Sequence, residues 1–317
     1  MIARVIEVND WDVVRLSTDV LEVDVLPGKG GDILQIRFDG TPLLFESPWG
    51  LRARRAAAPE GDSAERWLAL YPGGWQTIFP NGGQESGGYG FHGDASLVAY
   101  DYSLSEDAVH MRARLKSSPF EIVRTVRVRD EEVEVRERIT NIGDDLLSAM
   151  WSQHPAFGSP LVSDACIVEV AARTFEADDA RDMPAGDLRP GARSAWPHGI
   201  GRDGGFIDLS RIPDNCDRFG YLGELESGHA SVSNPQLGLR ATLRWDASVF
   251  PYAWYWLETH ATRDFPWYQK AYVFAIEPAS TIPGQGIEIA RARGSSLMTF
   301  APDQTRETTI VLRAETL

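Results

Sequence analysis

Apolar and polar residues alternate with a period of two along much of the chain. Such alternation is typical of strands that bury one face. It is clearest in residues 125–129 (TVRVR) and 132–136 (EVEVR), on either side of Asp130 and Glu131, which predicts a hairpin. Residues 20–26 and 33–38 form a second such pair, separated by Pro27 and a run of glycines. Four further β-branched or aromatic segments predict strands, at 167–170, 239–245, 271–276 and 308–313.

Helical periodicity is scarce. Residues 62–70 predict one short helix, and residues 144–151 fit either a helix or a strand. The sequence shows no repeat of 20 to 50 residues and no proline-rich or serine-rich linker. We therefore expect an all-β sandwich that forms a single domain over residues 1–317.

One segment, residues 178–205, differs in composition from the rest. It is rich in Ala, Gly, Pro, Asp and Arg and has few β-branched residues. This composition predicts a long loop excursion, and loops of that length often cover or line a functional site.

The charge and the cysteine content argue against several classes of partner and of protein. The 31 basic and 46 acidic side chains give a formal net charge of −15, which disfavours nucleic acid and anionic membrane surfaces as partners. No apolar run approaches the roughly 18 residues of a membrane span, and the first ten residues lack the apolar stretch of a signal peptide. Two cysteines, Cys166 and Cys216, cannot form a disulfide framework. These features together predict a cytoplasmic protein.

Most catalytic signatures are missing from the sequence. Residues 199–204 match the dinucleotide pattern G-x-G-x-x-G, but no strand precedes them and no long helix follows, so we interpret the match as chance. The cluster of Arg52, Arg54 and Arg55 fits either an anion site or a solvated loop, and both interpretations remain open.

Three residues in unusual local settings could carry chemistry. His92 follows the glycine-rich run 81–90, where backbone can approach a ligand closely. His154 precedes Pro155 among aromatic neighbours, and Glu277 ends the apolar run 271–276. Burial at the end of such a strand would raise the pKa of a carboxyl and suit a general base near neutral pH. Each of the three could equally be a structural hydrogen-bonding group.

The order of several segments resembles the aldose 1-epimerase (galactose mutarotase-like) family, over almost the whole chain. The opening stretch 26–44 is similar to the family's first hairpin, and the aromatic stretch 250–256 is similar to a strand that carries aromatic rings. Three further segments are similar to its site motifs: 73–83 with Phe91-His92-Gly93-Asp94, 138–157 with His154 and Pro155, and 274–278 with Glu277.

The resemblance implies a galactose mutarotase-like supersandwich of antiparallel sheets and a cofactor-independent isomerase without a metal. It implies that His154 is the acid at the ring oxygen O5 and that Glu277 is the base at the C1 hydroxyl. It further implies that the sugar is held by His92, Asn81, Gln76 and Trp256. The expected partner is a small-molecule sugar, with the chain a monomer or a homodimer.

Departures from the family pattern leave the substrate open. Gly82 follows Asn81 where many members carry an arginine, so that Gln76 or Gln84 could supply the contact. The family's substrate-binding aspartate has only two candidate counterparts, Asp203 and Asp208.

Three alternatives to a free-aldose mutarotase remain. One is an epimerase for a hexose phosphate or another modified sugar, although Tyr71-Pro72 stands where phosphosugar enzymes present a basic residue. Another is a non-catalytic carbohydrate-binding or sensing protein on the same fold. The last is a glycoside hydrolase or lyase, which would need a second carboxylate, and Glu258 is the nearby candidate.

Overall fold

The structure, a computed structural model, describes residues 2–181 and 183–317. The strands of the first half are β1 (Ile2–Val8), β2 (Trp11–Ser17), β3 (Leu21–Leu26), β4 (Asp32–Phe38), β5 (Thr41–Pro42), β6 (Trp75–Ile78), β7 (Asp101–Leu104), β8 (Ala108–Arg114), β9 (Phe120–Arg129), β10 (Glu132–Asn141), β11 (Leu147–Ala149) and β12 (Ser152–Gly158). Those of the second half are β13 (Ile167–Val170), β14 (Thr174–Ala177), β15 (Arg193–Ala195), β16 (His198–Ile200), β17 (Phe206–Asp208), β18 (Cys216–Gly223), β19 (His229–Asn234), β20 (Leu239–Trp245), β21 (Tyr252–Thr259), β22 (Tyr272–Ala279), β23 (Met298–Phe300) and β24 (Thr305–Thr316). Two short helices complete these residues, α1 (Ser63–Ala69) and α2 (Ile287–Ala292).

Two antiparallel sheets form the body of the protein. The larger has 12 strands in the order β1-β2-β3-β4-β6-β12-β22-β21-β18-β14-β15, with β5 added beside β4. The smaller has eight, in the order β13-β19-β20-β24-β10-β9-β8-β7. The hydrophobic core lies between them and includes Val23 and Ile36 from the larger sheet and Val126, Val135 and Leu312 from the smaller. The expected all-β sandwich is therefore confirmed.

Several local predictions are also confirmed. The hairpin around Asp130 is formed by β9 and β10, with Asp130 at a positive φ of 47°. The predicted helix is α1, which begins with a capping box between Asp62 and Glu65. The ambiguous stretch 144–151 forms the short strand β11 instead of a helix, because it pairs with β23.

The segment 178–205 is not all loop. It supplies β15 to the edge of the larger sheet and β16 to a small hairpin with β17. The dismissed glycine motif lies at this hairpin, which confirms that it has neither the strand–helix context nor the helix N-terminus of a nucleotide site.

Three central strands of the larger sheet are buried on both faces, namely β12, β21 and β22. One face packs into the core, as Tyr255 and Phe274 do. The other face carries alternate residues such as Trp256 and Ala275, which lie under α1 and neighbouring loops. This second face, enclosed by the chain itself, is the floor of a cavity.

No helix within the described residues is long and apolar enough to cross a membrane.

Candidate functional site

The cavity on the outer face of the larger sheet has a volume of about 250 Å³. That is slightly below the usual range of roughly 300–1,000 Å³ for small-molecule sites. Aromatic rings dominate its walls: Trp67, Phe91, Phe219, Trp254, Trp256, Phe265 and Trp267. A monosaccharide-sized ligand with apolar C–H faces would match this size and lining.

His154 and Glu277 meet at the floor of this cavity, on the neighbouring strands β12 and β22. His154 Nε2 lies 3.8 Å from Glu277 Oε1. The other polar atom of each group, His154 Nδ1 and Glu277 Oε2, is buried and has no hydrogen-bond partner among the described residues. The pair therefore retains hydrogen-bonding capacity that a ligand could use.

Burial changes the proton affinity of both groups. It lowers the pKa of His154 to about 4, because desolvation disfavours the imidazolium. It raises the pKa of Glu277 well above its usual value, for the corresponding reason. Burial thus favours the neutral imidazole of His154 and the protonated carboxyl of Glu277.

Three rings surround the imidazole of His154. Tyr71 and Trp256 lie with ring centroids 5.6 and 5.5 Å away, and that of His92 lies at 6.4 Å. The Tyr71 hydroxyl is buried and finds no hydrogen-bond partner in the described part of the chain. Burial, followed by the nearby Glu277, raises the Tyr71 pKa well above its usual value. The sequence indicated Tyr71 only as the residue in place of a basic one and gave no sign that it would contact His154.

His92 is a fixed hydrogen-bond donor. Its Nδ1 accepts a hydrogen bond of 3.0 Å from the backbone N–H of Gly83, which leaves the proton of the neutral ring on Nε2. Burial, with smaller contributions from His154 and Arg181, lowers the pKa of His92 well below its usual value and keeps the ring neutral. The residue has a positive φ of 57°, held by the surrounding glycine-rich loop.

Glycine is required where this loop meets the segment before α2. Gly83 has φ +68°, and a Cβ there would lie 2.2 Å from the carbonyl oxygen of Gly284. The close approach brings Gly83, Gln84, Gly284 and Gln285 together at one rim of the cavity.

Two of the predicted sugar contacts do not line the cavity. Asn81 is fully buried: its Nδ2 donates to the carbonyls of Gln84 and Gly90, and its Oδ1 accepts from the N–H of Ile287. Gln76, opposite His154 in the pairing of β6 and β12, donates to the carbonyl of Gly73. Both side chains therefore hold neighbouring backbone segments in position by these hydrogen bonds. His92, His154, Trp256 and Glu277 do line the cavity, as does Gln84.

Other candidates lie outside the site. Arg52 donates to the carbonyl of Ala57 and Arg54 lies over the ring of Trp11, and neither they nor Arg55 line the cavity. Asp203 and Asp208 are exposed and accept hydrogen bonds within their own turns.

Glu258 also lies outside the lining of the cavity, and its carboxylate already accepts hydrogen bonds from other residues. It is buried, and it accepts hydrogen bonds from the backbone N–H groups of Ala261 and Thr262. Among the described lining residues, Glu277 is the only carboxylic acid. The cavity thus lacks, over these residues, the second carboxylate that the hydrolase alternative needs.

Arg181 also lines the cavity, a position that the sequence alone did not predict. It follows Asp178, whose carboxylate accepts a hydrogen bond of 2.9 Å from the Arg181 backbone N–H and another from Tyr221. The composition of 178–205 indicated a loop that could line a site, but nothing in its sequence singled out this arginine.

Three solved structures have a fold similar to that of this chain. A protein of Escherichia coli K12 described as a proposed aldose 1-epimerase is 19% identical with a TM-score of 0.70, over 96% of this chain and 99% of that one. A galactose mutarotase-like protein of Clostridium acetobutylicum is 14% identical with a TM-score of 0.70, over 99% of this chain and 98% of that one. Another from Lactobacillus casei ATCC 334 is 16% identical with a TM-score of 0.66, over 96% of this chain and all of that one. At these identities the similarity establishes the galactose mutarotase-like fold alone.

No curated protein matches the chain in sequence. A family model does match, over residues 9–189, which is more than half of the chain and includes the segments that carry His92 and His154. That model is described as a domain of unknown function, DUF4432, and the chain belongs to this family.

Proposed function

We propose that the protein is a mutarotase, an isomerase that interconverts the α and β anomers of an aldose by acid–base ring opening. The observation that carries the proposal is the contact between His154 Nε2 and Glu277 Oε1, 3.8 Å apart at the floor of an aromatic cavity. An acid and a base this close can serve both oxygens of a cyclic hemiacetal, because both are bonded to the same carbon.

The reaction needs one proton delivered and one removed. As the bond between C1 and O5 breaks, O5 takes a proton from His154, and the C1 hydroxyl gives its proton to Glu277, which leaves the aldehyde. Rotation about the bond between C1 and C2 presents the other face of the carbonyl, and closure with the roles reversed gives the other anomer. After ring closure, His154 and Glu277 have regained their initial protonation states, and the sugar has the same atoms as before.

This assignment of roles requires His154 to be charged and Glu277 to be ionised when the ring opens. Burial by itself favours the opposite, a neutral imidazole and a protonated carboxyl. A sugar hydroxyl that donates to Glu277 Oε2, an atom that no described residue hydrogen-bonds, would stabilise the carboxylate and favour transfer of the proton to His154. In this proposal the Nε2–H of His92, which lines the same cavity, donates a hydrogen bond to the substrate near O5.

Exchange NMR of anomeric protons tests the proposal. The wild-type protein should accelerate exchange of at least one aldose above the buffer rate. Glu277→Gln and His154→Asn should each lose roughly 10²–10⁴-fold in rate, the usual contribution of general acid–base catalysis. As a control, His198→Asn changes an exposed histidine of β16 outside the cavity and should leave the rate unchanged.

An unchanged rate in both site variants would rule out this mechanism. Sugar binding without any exchange in the wild-type protein would instead favour the carbohydrate-binding alternative.

A further inference from the structure

The charge of the cavity is carried by a single described side chain. Its titratable lining residues are Tyr71, His92, His154, Glu277 and Arg181. Burial favours the neutral forms of the first four near neutral pH, as described above. Arg181 remains charged at any such pH. The described lining is therefore positive, although the whole chain has a formal net charge of −15.

The position of Arg181 is set by its backbone. Asp178 accepts from the Arg181 N–H at 2.9 Å, and the same carboxylate accepts from the side chain of Gln285 at 3.5 Å. Gln285 and Gln84 also line the cavity, so that two amides and Arg181 belong to the same lining. A guanidinium and amide groups together form a set of donors suited to the oxygens of an anionic group.

A competing explanation is that Arg181 neutralises buried acids. Asp178 and Asp217 line a smaller cavity of about 70 Å³ that shares Arg181 and Phe219 with the main one. Burial raises the pKa of Asp217 to about 6, while the charge of Arg181 partly opposes this. Within the described residues, however, the Arg181 guanidinium forms no ion pair within 4.0 Å with either carboxylate. The charge of Arg181 thus acts on both acids only from beyond ion-pair distance.

From this arrangement we infer that the sugar bound in the cavity carries a single negative charge, as a uronate or a sulfonated hexose does, and that Arg181 selects it. The inference deepens the proposed function and rests on a sugar occupying the cavity. A planar guanidinium can donate two parallel hydrogen bonds to a carboxylate or a sulfonate, and Arg181, although exposed, lies at the cavity where such a group could reach it. One cation matches a monoanion better than it matches a phosphate dianion.

The test compares matched sugars on wild-type protein and on Arg181→Gln. Glucuronate and glucuronamide differ in charge and little in shape, as galacturonate and its amide do, and 6-sulfonated glucose and glucose 6-phosphate extend the series. Exchange NMR gives kcat/KM and calorimetry gives Kd for each. Arg189→Gln removes the same charge from the same segment outside the cavity and serves as the control.

We expect the wild-type protein to prefer the uronate or the sulfonate over its neutral counterpart by roughly tenfold to a hundredfold, as for a hydrogen bond to a charged group. In Arg181→Gln this preference should disappear through a higher KM with little change in kcat, and Arg189→Gln should keep it. Added salt should reduce the preference.

Equal affinity for charged and neutral members of each pair, or an unchanged preference in Arg181→Gln, would overturn the inference even if neutral sugars are exchanged. A preference for the 6-phosphate above both monoanions would overturn the assignment of charge. Selective, Arg181-dependent binding of a monoanion without exchange would support the inference while refuting the mutarotase proposal.

Discussion

His154 and Glu277 show how burial, more than any neighbouring charge, sets the proton state of a site. For each group, desolvation is the largest cause of its pKa shift. Both side chains lie on strands that the surrounding chain covers on both faces, and their exposed fractions are 6% and 2%. The same enclosure that prepares the pair for proton transfer should also cost stability, because the unfolded chain can ionise both groups freely.

The pH dependence of stability should reveal this cost at His154. Because the folded pKa is about 4 and the unfolded value is near 6.5, the unfolded state binds the proton first as the pH falls. The contribution of His154 to the free energy of unfolding should therefore decrease from pH 6.5 towards pH 4, by up to roughly 3 kcal/mol, whereas Glu277, with its raised pKa, contributes with the opposite sign in all the variants compared. Urea unfolding across this range should show a smaller decrease in His154→Gln.

His198→Gln, at an exposed position, should keep the wild-type decrease. A decrease of equal size in His154→Gln would contradict the assignment. The contribution of His92 has the same sign and is present in all three proteins.

At the scale of elements, a buried polar network joins the two sheets directly behind the site. Glu137 of β10 is paired with Arg124 of β9, and both are fully buried. Glu137 also accepts from the side chains of Trp151 and Gln153, and Gln153 accepts from Trp75 at 2.8 Å. Because Gln153 precedes His154 on β12, the network fixes that strand against the second sheet.

Glu137→Ala should destabilise the protein by roughly 3–5 kcal/mol, because it leaves the guanidinium of Arg124 buried without its counter-charge. Urea unfolding measures the change. The double variant Arg124→Met/Glu137→Leu should be markedly more stable than the single one, since it removes both charges.

A salt bridge at the surface provides a control for the buried pair of Glu137 and Arg124. Glu307 pairs with Arg136 while 38% of its side chain is exposed, and Glu307→Ala should cost less than about 1 kcal/mol. Similar losses for Glu137→Ala and Glu307→Ala would contradict the role given to the network.

At the scale of the whole molecule, one hydrophobic core spans both sheets. It contains residues from near the start, such as Val14, from the middle, such as Phe175, and from near the end, such as Ala314. The first and last parts of the chain therefore depend on each other for burial. That a single domain covers residues 1–317 stays a prediction.

Thermal unfolding tests this prediction. If the shared core makes the chain one cooperative unit, calorimetry should show a single transition whose calorimetric and van't Hoff enthalpies agree. A saturating ligand should shift the whole transition upwards without splitting it. Two transitions, or a calorimetric enthalpy well above the van't Hoff value, would indicate more than one unit.

Some features followed from local sequence because their causes are local. Alternation predicted β9 and β10, since a strand with one buried face needs period two. Residues 62–70 predicted the helix α1, and the capping box that begins it joins Asp62 and Glu65, only three residues apart. The neighbourhoods of His92, His154 and Glu277 were conspicuous for the same reason, and these three residues do meet at one cavity.

Other features depended on contacts between distant residues. Asn81 looked like a sugar contact, but its amide is used by Gln84, Gly90 and Ile287, the last of which is far away in sequence. The enclosure of Tyr71 against His154 depends on α1 folding over β12. Arg181 reaches the cavity because Asp178 anchors its backbone and packs against Tyr221 of β18.

The sequence by itself determined the all-β class, the short helix and the residue types available for acid–base chemistry, because periodicity, caps and composition act over a few residues. Which of those residues share a cavity, how burial shifts the pKa values of His154 and Glu277, and which cation lines that cavity follow from the tertiary structure alone. Burial and proximity arise from packing between strands far apart in the chain, and local sequence carries no direct record of that packing.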